Sequence, residues 1–158
     1  MDTLPVRYAA RYRVEFVARL GDGKDGFVLQ TSKRTAVKFL HNRDHYTREH
    51  RAYRFLAAGD VDELAGHQVP RFLRSDEELL AIEMTVVQPP FIVDFVSAYT
   101  DDEVKWLAFT EDVMAEREAF WAERFGDRWP AVLRIRDEFH RVTGLTLLDL
   151  SHNNIRFE

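Results

Sequence analysis

Gly21, Gly23 and Gly26 fall at the spacing G-x-G-x-x-G, a pattern that can hold phosphate when a strand precedes it and a helix follows. Here the next residues, 27–31 (FVLQT), are strand-like. The helix N-terminus that would receive a pyrophosphate is missing, so the dinucleotide-fold reading fails. Asp44 lies near the distance expected of a ribose partner, but a single acid at a single distance is a cheap coincidence. A flexible hairpin turn accounts for the glycines as well. Asp149 is a different kind of candidate: it sits inside the apolar run LTLLDL, and an acid there needs partners if it is buried. His41, His45, His50, His67, His140 and His152 show no metal-ligand spacing with neighbouring acids. The absence of cysteine excludes disulfides, thiolate metal sites and cysteine nucleophiles.

These groups need a frame. The 158 residues fit one domain, and 46% hydrophobic with 13% aromatic residues supports a packed core. With 22 Lys and Arg against 27 Asp and Glu, the net charge of −5 argues against a nucleic-acid binder. Arg7, Arg11, Arg13 and Arg19 alternate with apolar residues and read as a solvated strand face. No apolar run is long enough to span a bilayer and no signal-peptide core precedes them, so a soluble cytoplasmic protein without a membrane partner is the expectation.

The first half reads as strands around one helix. Tyr12, Val14, Phe16, Ala18 and Leu20 alternate with a period of two, and residues 27–31 and 35–40 form a hairpin about the turn 32–34. Residues 41–58 change to a helical period with Asn42 or Asp44 as cap, and 61–68 have no clear pattern. Residues 69–73 and 79–87 read as another strand pair, and Pro89 and Pro90 end the sheet. Thr100 and Glu103 form a T-x-x-E capping box for a helix reaching Phe125, whose stripe from Trp106 to Phe125 reads as core. Gly126 stops it, Pro130 opens the next helix and Gly144 closes that one. Strands with one helix, then helices, is an α+β order.

A wider set of residues resembles the protein-kinase fold family. Val28 extends the glycines to G-x-G-x-x-G-x-V, and Ala36-Val37-Lys38 follows twelve residues past Gly26. A helix bearing Glu49 comes next (residues 46–56, YTREHRAYRFL), similar to the family's αC helix. Residues 79–87, LLAIEMTVV, resemble its fifth strand and adenine-binding hinge, with Glu83 and Thr85 in the hinge. Asp149 and Asn154 match the D-L-x-x-x-N catalytic loop. A narrower likeness is to short bacterial kinase-like proteins carrying P-P-F-x-x-D-F and L-L-D…N-I, here residues 89–95 and 147–155.

The resemblance implies an N-lobe of five antiparallel strands plus αC over about residues 1–87, then a hinge and a truncated helical C-lobe over 88–158, in a single domain. It implies ATP and Mg²⁺ as cofactors. Gly21, Gly23, Gly26, Val28 and Ala36 would roof the nucleotide, Lys38 paired with Glu49 would hold the phosphates, Asp149 would act as base, and Asn154 would be a metal ligand. Each of these has a plainer alternative: Lys38 as a snorkelling strand lysine, Glu49 as a solvated helix acid, Asn154 as a turn former.

Departures from the family pattern bear on activity. Leu147 and Leu148 stand where His and Arg precede the catalytic Asp, and no D-F-G follows Asn154. Asp94-Phe95-Val96 has a similar look but comes before the catalytic-loop match, so the sequence order argues against it. A degenerate phosphotransferase or nucleotide-binding pseudokinase is therefore the expectation, with a protein partner completing or covering the missing lobe. The alternative is an interaction module that uses an exposed helical face and no nucleotide.

Overall fold

Pro5 opens the first element, its fixed φ suiting a helix start. The computed structural model describes residues 3–158; Asp2 lies outside the described residues. Helix α1 (Leu4–Tyr12) ends where Arg13 turns left-handed at φ 54°. The expectation of a strand here is corrected. Arg7 and Arg11 lie one helical turn apart and pair with Glu78 and Asp76; the strand begins only at Phe16, and residues 17–20 are exposed without the expected alternation. The alternation misled because Tyr8 and Tyr12, at i and i+4, also satisfy a helix.

The main sheet contains β1 (Phe16–Asp22), β2 (Gly26–Thr31), β3 (Thr35–Leu40), β6 (Phe72–Asp76) and β7 (Ala81–Thr85), ordered β1-β2-β3-β7-β6 with every neighbouring pair antiparallel. Between β3 and β6 lie α2 (Arg43–Ala58) and the short strands β4 (Glu63–Leu64) and β5 (His67–Gln68). The Asn42 side chain accepts from the His45 N–H and starts α2; Gly59 ends it.

β3 alternates across the sheet and so divides two layers. Val37 and Phe39 pack with Tyr8 and Ala81 on the α1 side. Ala36 and Leu40 join Tyr53, Leu56, Ile82 and Met84 on the α2 side. That second cluster continues without a break into the later elements through Phe95, which stacks on Phe139 and meets Tyr53 edge-on.

The later elements are β8 (Phe91–Ile92), β9 (Ala98–Tyr99), α3 (Asp101–Trp106), α4 (Glu111–Phe125), a 3₁₀ turn (Gly126–Arg128), α5 (Trp129–Thr143), β10 (Thr146–Leu147) and β11 (Ile155–Arg156). The Thr100–Glu103 capping box forms with both hydrogen bonds. The single helix expected from Thr100 to Phe125 is instead two, because Ala108 takes φ 51° and Thr110 caps a new start. The aromatic stripe expected in the core is corrected in part: Phe125 is buried there, but Trp106 is 88% exposed, and Phe109, Val113 and Phe120 face solvent. No described helix is long and apolar enough to cross a membrane.

One glycine of the motif has a purely structural reason. A Cβ on Gly26 would sit 2.2 Å from the Phe39 carbonyl oxygen of β3, whereas one on Gly23 would meet nothing closer than 3.9 Å. Gly26→Ala is therefore expected to cost roughly 1–3 kcal/mol or more through forced backbone movement, and Gly23→Ala to be near neutral. Urea unfolding of both variants checks this; equal costs would refute the packing argument.

Candidate functional site

Register decides which residues can meet. Lys38 pairs across the sheet with Ile82, and both face α2; Val37 pairs with Glu83, and both face α1. Lys38 and Glu83, both named by the sequence, are thus on opposite faces of one sheet.

On the α2 face the Lys38 Nζ donates to Glu49 Oε2 at 2.6 Å. Glu49 is 0% exposed and Lys38 7%, so this is an ion pair taken out of water. Such a pair persists only with further partners. One is the Phe95 N–H, donating to Glu49 Oε1 at 3.4 Å. The other is Asp94, whose Oδ2 lies 3.3 Å from Lys38 Nζ. Asp94 holds a left-handed φ of 72°, and its Oδ1 accepts from the Val96 N–H, the short loop bond that suits Asp in this conformation.

Two carboxylates and one ammonium share this site, one negative charge too many, so proton retention is favoured. Burial pushes the Glu49 carboxyl up to about 7, with Lys38 opposing and Asp94 adding to the shift. Burial works against charge on Lys38, but Glu49 and Asp94 outweigh it and hold the pKa above the usual lysine value.

Asp94 is the site residue that sequence order argues against. A signal was present in the D-F dipeptide, but chain order says nothing about which loops meet in space. Strand pairing and packing between distant segments decide that. Ile92 pairs with Ile155, and the Val93 N–H donates to the Asn154 carbonyl at 2.8 Å, so Asn154 lies beside the residue preceding Asp94. A few residues on, Ala98 pairs with Leu147 and the Leu148 N–H donates to the Ser97 carbonyl. The Asp149 N–H donates to Ser97 Oγ at 2.9 Å, and Asp149 Oδ1 accepts from the Ser151 N–H. Residues 93–98 therefore run beside 147–154. Lys38, Glu49 and Asp94 meet directly, with the Asn154 and Asp149 loop alongside.

Other expected residues fall differently. The glycines lie in the β1–β2 hairpin, where the Gly23 N–H is occupied by the Gly26 carbonyl. The loop tip is tied to the start of α2: the His41 N–H donates to the Asp25 carbonyl, and His45 Nδ1 lies 3.3 Å from Asp25 Oδ1. Val28 and Ala36 join the apolar cluster on the Lys38 face. Glu83 is buried on the far face, accepting from Tyr8 OH at 2.8 Å and Thr35 Oγ1 at 2.5 Å and pairing with Arg74 at 2.9 Å. The Thr85 N–H donates to the Arg71 carbonyl, and its hydroxyl accepts from the Arg71 N–H. The polar groups of Glu83 and Thr85 are thus occupied within the sheet, and the chain leaves β7 at residues 86–88. Two recesses, of about 600 and 260 Å³, lie elsewhere: one beside Arg134 and Glu138, the other beside Tyr53 and Val61.

No protein-family model matches this sequence, and no curated protein matches it. Among solved structures the chain is similar to APH(2")-IIa, an aminoglycoside phosphotransferase described in a ternary complex with streptomycin and ATP, at 16% identity and a TM-score of 0.40. The match covers 72% of this chain and 33% of that one, so it spans about a third of the neighbour's length.

The raised carboxyl has a testable sign. A folded-state pKa near 7 against an ordinary 4.5 means Glu49 favours folding most at low pH and loses that contribution as pH rises through about 7. Glu49→Gln cannot titrate. The melting temperature of the wild type minus that of the variant should therefore fall between pH 4.5 and 8. A difference independent of pH would show that Glu49 does not titrate there.

Proposed function

We propose that this chain binds ATP with Mg²⁺ in a kinase-like manner, with Asp94 supplying the acid that sequence order had left missing. The observation that carries the reading is the Lys38–Glu49–Asp94 constellation, assembled from a strand, a helix and a loop. A buried ion pair beside a part-exposed carboxylate is costly to keep, and clusters of this kind concentrate at functional sites. Five antiparallel strands with one long helix inserted after the third agree with the N-lobe the resemblance implies.

The donor set fits the metal as a nucleotide complex. Among the described residues no group of three or more His, Asp or Glu could hold a metal alone. Mg²⁺ is commonly bound through one or two carboxylates together with substrate phosphates and waters. Asp94 would provide the protein share, with Asn154, whose backbone carbonyl accepts from the Val93 N–H, as a second candidate. When bound, the ion would neutralise charge on the phosphates. A phosphate at Lys38 would compete with Asp94 for the ammonium, so Asp94 would have to turn from Lys38 to hold the ion. Lys38, oriented by Glu49, would then contact phosphate oxygens.

Val28 and Ala36 would offer an apolar surface to the base, whose polar edge would meet the backbone at residues 86–88. Asp149, positioned by Ser97 and Ser151, would orient a hydroxyl acceptor. Leu147 and Leu148 are buried where the family keeps His and Arg, so any transfer would be slow or partner-dependent.

Thermal unfolding with ATP and Mg²⁺ tests the reading. At ten times the dissociation constant a native-state ligand stabilises by about 1.4 kcal/mol, a rise of about 3–6 °C for a chain of this size. Lys38→Met should abolish the rise, and Asp94→Asn should abolish its dependence on Mg²⁺. No rise at 10 mM nucleotide with folded protein would reject nucleotide binding. The exposed face of α3 and α4 favours an interaction module as a second reading, which that negative result would leave standing.

A further inference from the structure

Between Asp101 and Arg124 no residue is buried, although this stretch contains both α3 and α4. Helices of six and fifteen residues are marginal in water without a packed face. Trp121 and Phe125 hold α4 to the core, but other apolar side chains point outward: Trp106 stands nearly free, and Phe109, Val113 and Phe120 are exposed. Arg117, stacked over Phe109, and Arg124, stacked over Phe120, lie on the same side as Val113, so the stripe is continuous.

The charge of this stretch is equally uneven. It contains eight acids and three bases, a net −5, which equals the net charge of the whole chain, so all other residues together sum to zero. We propose that the α3–α4 face is a docking surface for a basic amphipathic segment of a partner protein, its apolar residues meeting Trp106, Phe109, Val113 and Phe120 and its Lys or Arg residues meeting the flanking acids. Exposed aromatic patches of this kind mark interaction sites, and complementary charge sets their specificity. A second copy of the chain would bring two −5 surfaces together, and an anionic lipid surface would be repelled in the same way.

The position gives docking a consequence. Arg117 donates to the Leu148 carbonyl at 2.8 Å, and His152 Nε2 lies 3.1 Å from the Arg124 carbonyl. α4 is thereby tied to both sides of Asp149, and a docked segment would lie beside that loop. The surface itself does not depend on nucleotide binding.

The test uses the whole protein and a fluorescein-labelled 20-residue peptide of Leu and Lys in amphipathic helical order. Fluorescence anisotropy should show micromolar binding that weakens at least tenfold between 50 and 300 mM salt. Hydrogen exchange should become slower within residues 101–124 when the peptide is present. Trp106→Ala with Val113→Asp, or Asp112→Lys with Glu116→Lys, should each weaken binding at least tenfold. Val17→Ser, an exposed apolar site on β1, should leave it unchanged. Equal binding of a sequence-scrambled peptide or of a Leu/Glu peptide would overturn the proposal. So would protection outside 101–124, no binding at 100 µM, or a dimer in light scattering that the Trp106→Ala, Val113→Asp variant abolishes.

Discussion

The charge pair between Lys38 and Glu49 constrains the rest of the molecule. Two ions out of water are tolerable only when held in good geometry with their remaining hydrogen-bonding capacity filled. That requirement reaches three separate parts of the chain. β3 must present Lys38 on the inner face, α2 must aim Glu49 at it, and the Asp94–Phe95 turn must close the remaining side. Phe95, locked between Tyr53 and Phe139, fixes the turn and joins α2 to α5. The apolar cluster and the charged site thus support each other: the core excludes water from the pair, and the pair specifies how the core elements are arranged.

The same sheet buries a second carboxylate on its other face. Glu83 pairs across the strands with Val37, the neighbour of Lys38, yet points away from it towards Tyr8, Thr35 and Arg74. Alternation along a strand separates these two polar networks by the thickness of one sheet. The α1 network anchors a helix and the α2 network forms the candidate site. Glu83 thus carries a structural load on the α1 face, where the kinase resemblance alone would have made it part of a ligand-binding hinge.

Against this crowded interior, α3 and α4 are built oppositely. Their caps are well made, with a capping box at Thr100 and a side-chain cap at Thr110, so local chemistry specifies where each helix begins. What they lack is a broad buried face: α3 buries no residue and α4 only Phe125. A periodic aromatic stripe has the same sequence signature whether its face meets the protein's own core or another molecule. That ambiguity is why Trp106, Phe109 and Phe120 carry the sequence signature of core residues although they are exposed.

The sequence alone determined the features governed by neighbours in the chain. These are the β2–β3 hairpin, the Asn42 cap of α2, the box at Thr100, Pro130 and Gly144 bounding α5, and the candidacy of Lys38, Glu49, Asp149 and Asn154. Side-chain capping, proline geometry and hydrophobic period act over a few residues and are legible there. Tertiary structure decided the rest. The α1 residues fit both periods, and packing of Tyr8 against the sheet selected the helix. Asp94 meets Lys38 because the neighbouring Phe95 packs between Tyr53 and Phe139 and its N–H meets Glu49, contacts between distant segments that no local pattern encodes. Which residues share a site is a matter of strand register and loop pairing, and those are properties of the folded chain.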